Sequence, residues 1–176
     1  MTANRQRIMN PRILTIAAAA VLGPCAIAIA QTNVGSFKDW NAFVSDEADG
    51  KLCFIASQPQ DSKYSQPIKG RDPVYFLVTS VPAKNIRNEA STVIGYGFGP
   101  NAEVTVDIDG TKFKMFTSNT DTAWAMPDQE AALVDAMKRG TKMTVQGTSK
   151  RGTVTNDAYS LSGVTAALDK LTAECP

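Results

Sequence analysis

The chain has 176 residues, with 18 basic and 17 acidic side chains, three cysteines and no histidine. This near balance of charge gives no electrostatic reason to expect a nucleic-acid partner. The missing imidazole removes the commonest general base and the commonest metal ligand.

Residues 1–30 read as a cleaved secretory signal. Arg5, Arg7 and Arg12 make a positive start, Ile13 to Ala30 is almost wholly apolar or small, and Ala28-Ile29-Ala30 ahead of Gln31 is the A-x-A pattern a signal peptidase accepts. Cleavage is expected between Ala30 and Gln31. Two alternatives stay open. A membrane anchor is opposed by the Gly23-Pro24 break and by the lack of a basic stop-transfer cluster. A lipoprotein attached through Cys25 is opposed by Pro24 directly before the cysteine. The remainder, residues 31–176, is expected to form a single domain whose 15 basic and 17 acidic residues leave a net charge of about −2. It keeps only Cys53 and Cys175. In an oxidising compartment such a pair is most economically a disulfide, with two buried free thiols as the alternative. Two thiolates without histidine do not complete a zinc shell.

In chain order, Gln31 to Gly35 reads as a short polar lead-in. Phe37 to Val44 reads as a strand with Trp40, Ala42 and Val44 on one face, and Asp46 to Gly50 as a turn. Lys51 to Ser57 follows as a strand with Cys53 at its middle. Gln58 to Asp72, with two prolines, a glycine and alternating charges, reads as a surface loop. Val74 to Val81 is a continuous apolar run, expected as a strand covered on both faces and stopped by Pro82. Ala83 to Glu89 is polar, and Ser91 to Tyr96 resumes an extended pattern. Gly95-Tyr96-Gly97-Phe98-Gly99-Pro100 reads as a place where backbones approach closely, running into a Pro100-Asn101 turn. No helix pattern follows it to cradle a phosphate.

Glu103 to Phe116 is the clearest hairpin. Asp109-Gly110 is a two-residue primed turn that pairs Ile108 with Thr111, Val106 with Phe113 and Val104 with Met115 on an apolar face. Asp107 with Lys112 and Thr105 with Lys114 fall on the solvent face. Thr122 to Met126 carries Trp124. A helix is expected over 128–139 with Ala132, Leu133, Ala136 and Met137 inward, Lys138 and Arg139 at its end and Gly140 as its stop. Lys142 to Gln146 and Val154 to Leu161 read as strands around Lys150-Arg151-Gly152. A last helix over about 162–173 turns Val164, Ala167, Leu168 and Leu171 to the core and delivers Cys175 to the sheet. Eight or nine short strands with regular turns point to an all-β sandwich, with the two helices covering an end or an open edge.

Chemistry is sparse. The serines sit in no G-x-S-x-G context and the acids are scattered through turns and helix starts, so neither a catalytic set, a cofactor site nor a metal site is expected. Lys138, Arg139, Lys142, Lys150 and Arg151 form a candidate polyanion patch if the strands they border are adjacent, with solvated basic residues at a helix end and a turn as the plainer reading.

The chain resembles the invasion-associated locus B family of exported bacterial proteins. The resemblance rests on Phe37 and Trp40, Cys53, Gly95-Tyr96, Asp109-Gly110, Trp124, and above all Lys150-Arg151-Gly152-Thr153 through Tyr159-Ser160-Leu161-Ser162-Gly163 to Cys175. It implies an all-β, immunoglobulin-like β-sandwich in the periplasm or at the outer envelope, linked in some pathogens to host-cell entry, with no catalytic residues to carry over. The expected role is therefore non-enzymatic binding of an envelope or host-surface protein or glycan. The alternative is an accessory periplasmic subunit of a larger membrane assembly.

Overall fold

In a computed structural model the described residues are 31–100, 102–117 and 120–176. The expected signal at residues 1–30, Ala30 of the cleavage site included, and Asn101 of the expected Pro100-Asn101 turn lie outside them.

The strands are β1 (Thr32–Phe37), β2 (Trp40–Glu47), β3 (Gly50–Ser57), β4 (Asp61–Tyr64), β5 (Tyr75–Val81), β6 (Ile86–Val93), β7 (Val104–Ile108), β8 (Thr111–Thr117), β9 (Thr122–Ala125), β10 (Lys142–Thr148) and β11 (Val154–Ser160), and the helices are α1 (Glu130–Arg139) and α2 (Val164–Glu174). All strands join one antiparallel sheet in the order β1-β2-β3-β5-β6-β9-β8-β7-β10-β11-β4. The all-β sandwich expected from the sequence thus takes the form of one continuous ladder. Its two halves face each other, because residues far apart in the strand order touch. Phe76 of β5 meets Tyr159 of β11 edge to face at 6.1 Å, and Trp40 of β2 meets Phe76 at 6.4 Å. The Trp40 indole Nε1–H donates to the Ser160 carbonyl at 3.0 Å, which satisfies its one polar atom inside the core.

The alternating pattern puts one side of nearly every strand into a single apolar core. The hairpin of β7 and β8 pairs in the register read from the sequence, Ile108 with Thr111 down to Val104 with Met115. Asp109 and Gly110 take positive φ of 48° and 95°, as a primed turn requires. Asp107 and Lys112 are register partners, yet the Asp107 carboxylate accepts the Gly110 N–H at 2.8 Å, and it is Lys114 that pairs with Glu103. Asp109 also does more than turn. Its carboxylate accepts the Thr141 and Lys142 N–H groups at 2.7 and 3.2 Å, fastening the hairpin tip to the connection between α1 and β10.

Several expectations are corrected. The polar lead-in before Phe37 is β1, an edge strand with a bulge at Val34, and it turns into β2 through Lys38 in the left-handed region at φ 54°. A non-glycine there leaves no turn signature in the sequence. Polar Ala83 to Glu89 holds the end of a short 3-10 turn, Pro82–Lys84, and the first half of β6. The inward stripe of α1 is Leu133, Val134 and Met137, with Ala136 half-buried and Ala132 exposed. Gln58 to Asp72 is not simply a loop, since β4 inside it pairs with β11 and forms one edge of the sheet.

Helix α2 buries Val164, Ala167, Leu168 and Leu171, as its spacing predicts, and lies against β1, β2 and β3. Each fully buried leucine contributes about 2 kcal/mol of transfer free energy. Gly163 starts the helix at φ 94°, where a Cβ would overlap the Phe37 carbonyl. Cys175, one residue past the helix, is bonded to Cys53 of β3 across a separation of 122 residues. Lys51 donates to the Glu174 carbonyl at 3.0 Å and Arg87 to the Cys175 carbonyl at 3.0 Å, so two cations hold the helix C-terminus where its dipole is negative.

Candidate functional site

The five basic residues of the candidate patch do not come together. Lys138 and Arg139 end α1 and Lys142 begins β10, whereas Lys150 and Arg151 lie in the turn beyond its other end. Eight residues of extended chain separate Lys142 from Lys150 by roughly 25 Å. Adjacency of β10 and β11 is as expected, but the residues fall at opposite ends of that pair.

The Lys150 end forms a groove of about 230 Å³. Its walls are the β10–β11 turn, the Gly95-Tyr96-Gly97 segment after β6, and the end of the connection from β4 to β5. Local bonds shape the turn. The Lys150 N–H donates to the Gly97 carbonyl at 3.0 Å, and the Gly152 N–H to the Ser149 carbonyl at 2.8 Å. The buried Ser149 hydroxyl oxygen accepts the Arg151 and Thr153 N–H groups at 3.3 and 3.2 Å. Gly152 takes φ 83° with open space around it, so it serves the turn and no contact. On the facing wall, Gly95 at φ 75° lies so close to the Asp72 carbonyl that a Cβ would overlap it, and the Asp72 N–H donates to the Gly95 carbonyl at 3.0 Å. The close backbone approach expected of the glycine-aromatic segment is therefore present, and it fixes one side of the groove.

Packed against the Tyr96 wall of the groove lies a buried ion pair. Arg71 donates from both terminal nitrogens to Asp157 of β11, at 2.7 and 2.6 Å, and from Nε to the Ile94 carbonyl at 2.8 Å. Ser62 of β4 adds a hydrogen bond to the same carboxylate at 2.7 Å. The Arg71 and Asp157 side chains are 6% and 0% exposed. The guanidinium also stacks between the rings of Tyr64 and Tyr96, 5.7 and 5.3 Å from their centroids. Burial disfavours the cation, but the hydrogen bonds and charge of Asp157 outweigh it and hold the Arg71 pKa above its ordinary value. For Tyr96, burial pushes the phenol pKa up, against the hydrogen bond to Thr155 at 2.8 Å and the charge of Arg71.

At the groove surface Lys69, Lys150 and Arg151 are exposed and make no ion pair with the described residues, and Asp72 is the one carboxylate in the lining. The Lys150 side chain runs over Gly97, where a Cβ would lie 3.9 Å from its Cδ and Nζ. This arrangement presents positive charge on a rigid base, and it aligns no nucleophile with a general base.

Sequence reasoning missed Arg71, Asp157 and Lys69. One signal was present. Asp157 shares the inward parity of Thr155, Tyr159 and Leu161, and a carboxylate on a core face demands a buried cation. Nothing in the spacing pointed to Arg71 as that cation, because it comes from an irregular segment 86 residues earlier.

The family model described as Invasion associated locus B (IalB) protein matches residues 40–172. The crystal structure of invasion associated protein b from Bartonella henselae superposes with a TM-score of 0.53 at 15% identity, covering 80% of this chain and 96% of that chain. Such identity shows likeness of fold. No curated protein matches the chain. The matched residues run from Trp40 through the groove and the Arg71–Asp157 pair to the last turn of α2, and the chain belongs to the invasion associated locus B (IalB) protein family.

Proposed function

We propose that the protein is exported to the periplasm or outer envelope and acts there, without catalysis, by binding an envelope or host-surface protein or glycan. The observation that carries the reading is the Cys53–Cys175 bond, which ties the end of the domain to β3 and belongs to an oxidising compartment. The leader-like residues 1–30 support the same address. Binding is favoured over chemistry because the groove offers unpaired cations on a fixed base and no aligned nucleophile. Cell fractionation with N-terminal sequencing tests the address: a soluble periplasmic or released protein starting at Gln31 is expected, and a cytoplasmic protein retaining residues 1–30 overturns it. Pull-down from intact envelope tests the binding, with recovery of a protein or glycan expected.

A second reading, an accessory subunit of a membrane assembly, is favoured by one feature. Phe116 is 45% exposed on the outer face of the sheet and stacks on Trp124 at 5.9 Å, an aromatic surface suited to a permanent neighbour. Native gels of detergent extracts separate the two readings, since an accessory subunit comigrates with a membrane complex and a free binder runs alone.

A further inference from the structure

We infer that the groove at the β10–β11 turn is a subsite for an acidic sugar unit, one that carries a phosphate or carboxylate beside free hydroxyls. The inference deepens the binding role proposed above and rests on it.

Four observations converge. First, Lys69, Lys150 and Arg151 bring three cations from two separate segments to one concave surface, and none is neutralised by an acid among the described residues. Uncompensated cations converging on a groove attract an anionic group, and an arginine among them offers a planar fork that fits phosphate or carboxylate. Second, Asp72 sits in the same lining. A bare anion is repelled by that carboxylate, whereas the hydroxyls of a sugar donate to it. Third, the buried Ser149 hydroxyl spends its oxygen on two backbone N–H groups, and its hydrogen has no acceptor among the described residues. That leaves a donor for a ligand oxygen in the groove wall. Fourth, the groove is preorganised. Tyr96 is held by Thr155 and by its stack on the clamped Arg71, and the Lys150 turn is pinned to Gly97, so little ordering entropy is lost on binding. A volume of about 230 Å³ falls below the range of drug-sized ligand pockets and matches a single ring, so a polysaccharide or glycolipid would engage through one residue of its glycan.

The experiment is titration of the purified protein, followed by calorimetry or amide chemical shifts, with glucose 6-phosphate, glucuronate, glucose and inorganic phosphate. Saturable binding of glucose 6-phosphate or glucuronate, tighter than that of either glucose or inorganic phosphate, is expected. In the double variant Lys150→Gln/Arg151→Gln affinity should fall roughly a hundredfold, about tenfold per lost charge-assisted bond. The variant Lys138→Gln/Arg139→Gln, which removes equal charge at the far end of β10, should bind as the parent does. Inorganic phosphate binding as tightly as the sugar acids, equal losses in the two double variants, or no saturable binding overturns the inference. Asp72→Asn adds a further arm. It should weaken the sugar acids and leave inorganic phosphate unchanged or tighter, and loss of phosphate alone contradicts the assignment. Vesicles carrying a phosphorylated glycolipid, compared with the free sugar phosphate, report whether the unit is read from a membrane or from solution. If an envelope pull-down still recovers a partner while these sugars fail, the subsite falls and the general binding role stands.

Discussion

Arg71 and Asp157 face each other with two parallel hydrogen bonds of 2.7 and 2.6 Å, and the pair joins the irregular segment after β4 to the inner face of β11. A fork-to-fork contact of this kind is specific in angle as well as distance, so it fixes where the connection crosses the sheet end and, through the Tyr96 ring, one wall of the groove. Removing one partner leaves a buried charge without compensation, which costs about 3–5 kcal/mol. Asp157→Leu and Arg71→Met are therefore each expected to lower the melting midpoint by roughly 10 °C or more in a domain of this size. The double variant Arg71→Met/Asp157→Leu should melt above either single, since neither buried charge remains. A double variant whose loss equals the sum of the two singles shows that the groups do not act as a pair.

The extent to which this arrangement was legible from the residues follows from the range of the interactions. The hairpin around Asp109-Gly110 was readable to the register because its turn chemistry and its period-two pattern are local. The apolar face of α2 was readable for the same reason, as was the pairing of Cys53 with Cys175 by elimination of partners. β1 was hidden because an edge strand needs no apolar alternation and its turn uses Lys38 in place of glycine. The groove was half visible. Lys150 and Arg151 stood out as a basic turn, but grouping them with Lys138, Arg139 and Lys142 assumed that neighbours across a strand pair are neighbours in space. The true companions, Lys69, Asp72 and Tyr96, arrive from segments whose placement depends on a long-range ion pair.

The Cys53–Cys175 bond closes a loop of 122 residues, for which chain entropy alone gives about 4–5 kcal/mol of stabilisation. Replacing both cysteines by alanine, or unfolding in the presence of a reductant, should lower the denaturant midpoint by a corresponding amount. Intact mass of the native protein should show a deficit of two hydrogens against the reduced chain. Both sulfurs lie in residues no more than 2% exposed, so alkylation should label neither until the bond is reduced. Two thiols that react in the native, unreduced protein contradict the bond.

Gly152 and Gly163 need glycine for different reasons, and alanine separates them. Gly152 and Gly163 both have positive φ, 83° and 94°. Around Gly152 the space is open, so Gly152→Ala carries only left-handed backbone strain, about 1–2 kcal/mol. At Gly163 the added Cβ also strikes the Phe37 carbonyl and pushes α2 away from the turn between β1 and β2, where Asp39 N–H donates to the Ser162 carbonyl at 3.3 Å. Gly163→Ala is expected to cost about 3 kcal/mol or more. Chemical denaturation of the two variants should give that order, and equal costs contradict the steric account.

Glu130, at the start of α1, supplies the clearest pH effect. Its partial burial raises the carboxyl pKa, with a further push from the charge of Glu89, although its Oε1 accepts the Ala90 N–H at 3.1 Å, which works the other way. A carboxyl whose pKa is higher folded than unfolded binds its proton more tightly in the folded state. Its effect on stability is therefore favourable at low pH and declines as pH rises from the ordinary carboxylate range through the raised folded pKa. Glu130→Gln keeps an oxygen for the Ala90 N–H and removes the titration. Measured as a difference in melting midpoint, the variant should gain on the parent as pH rises through that window, and the gain should level off above the folded pKa. A constant difference across the window, or a gain that grows toward acid, contradicts the assignment of the shift to burial of Glu130.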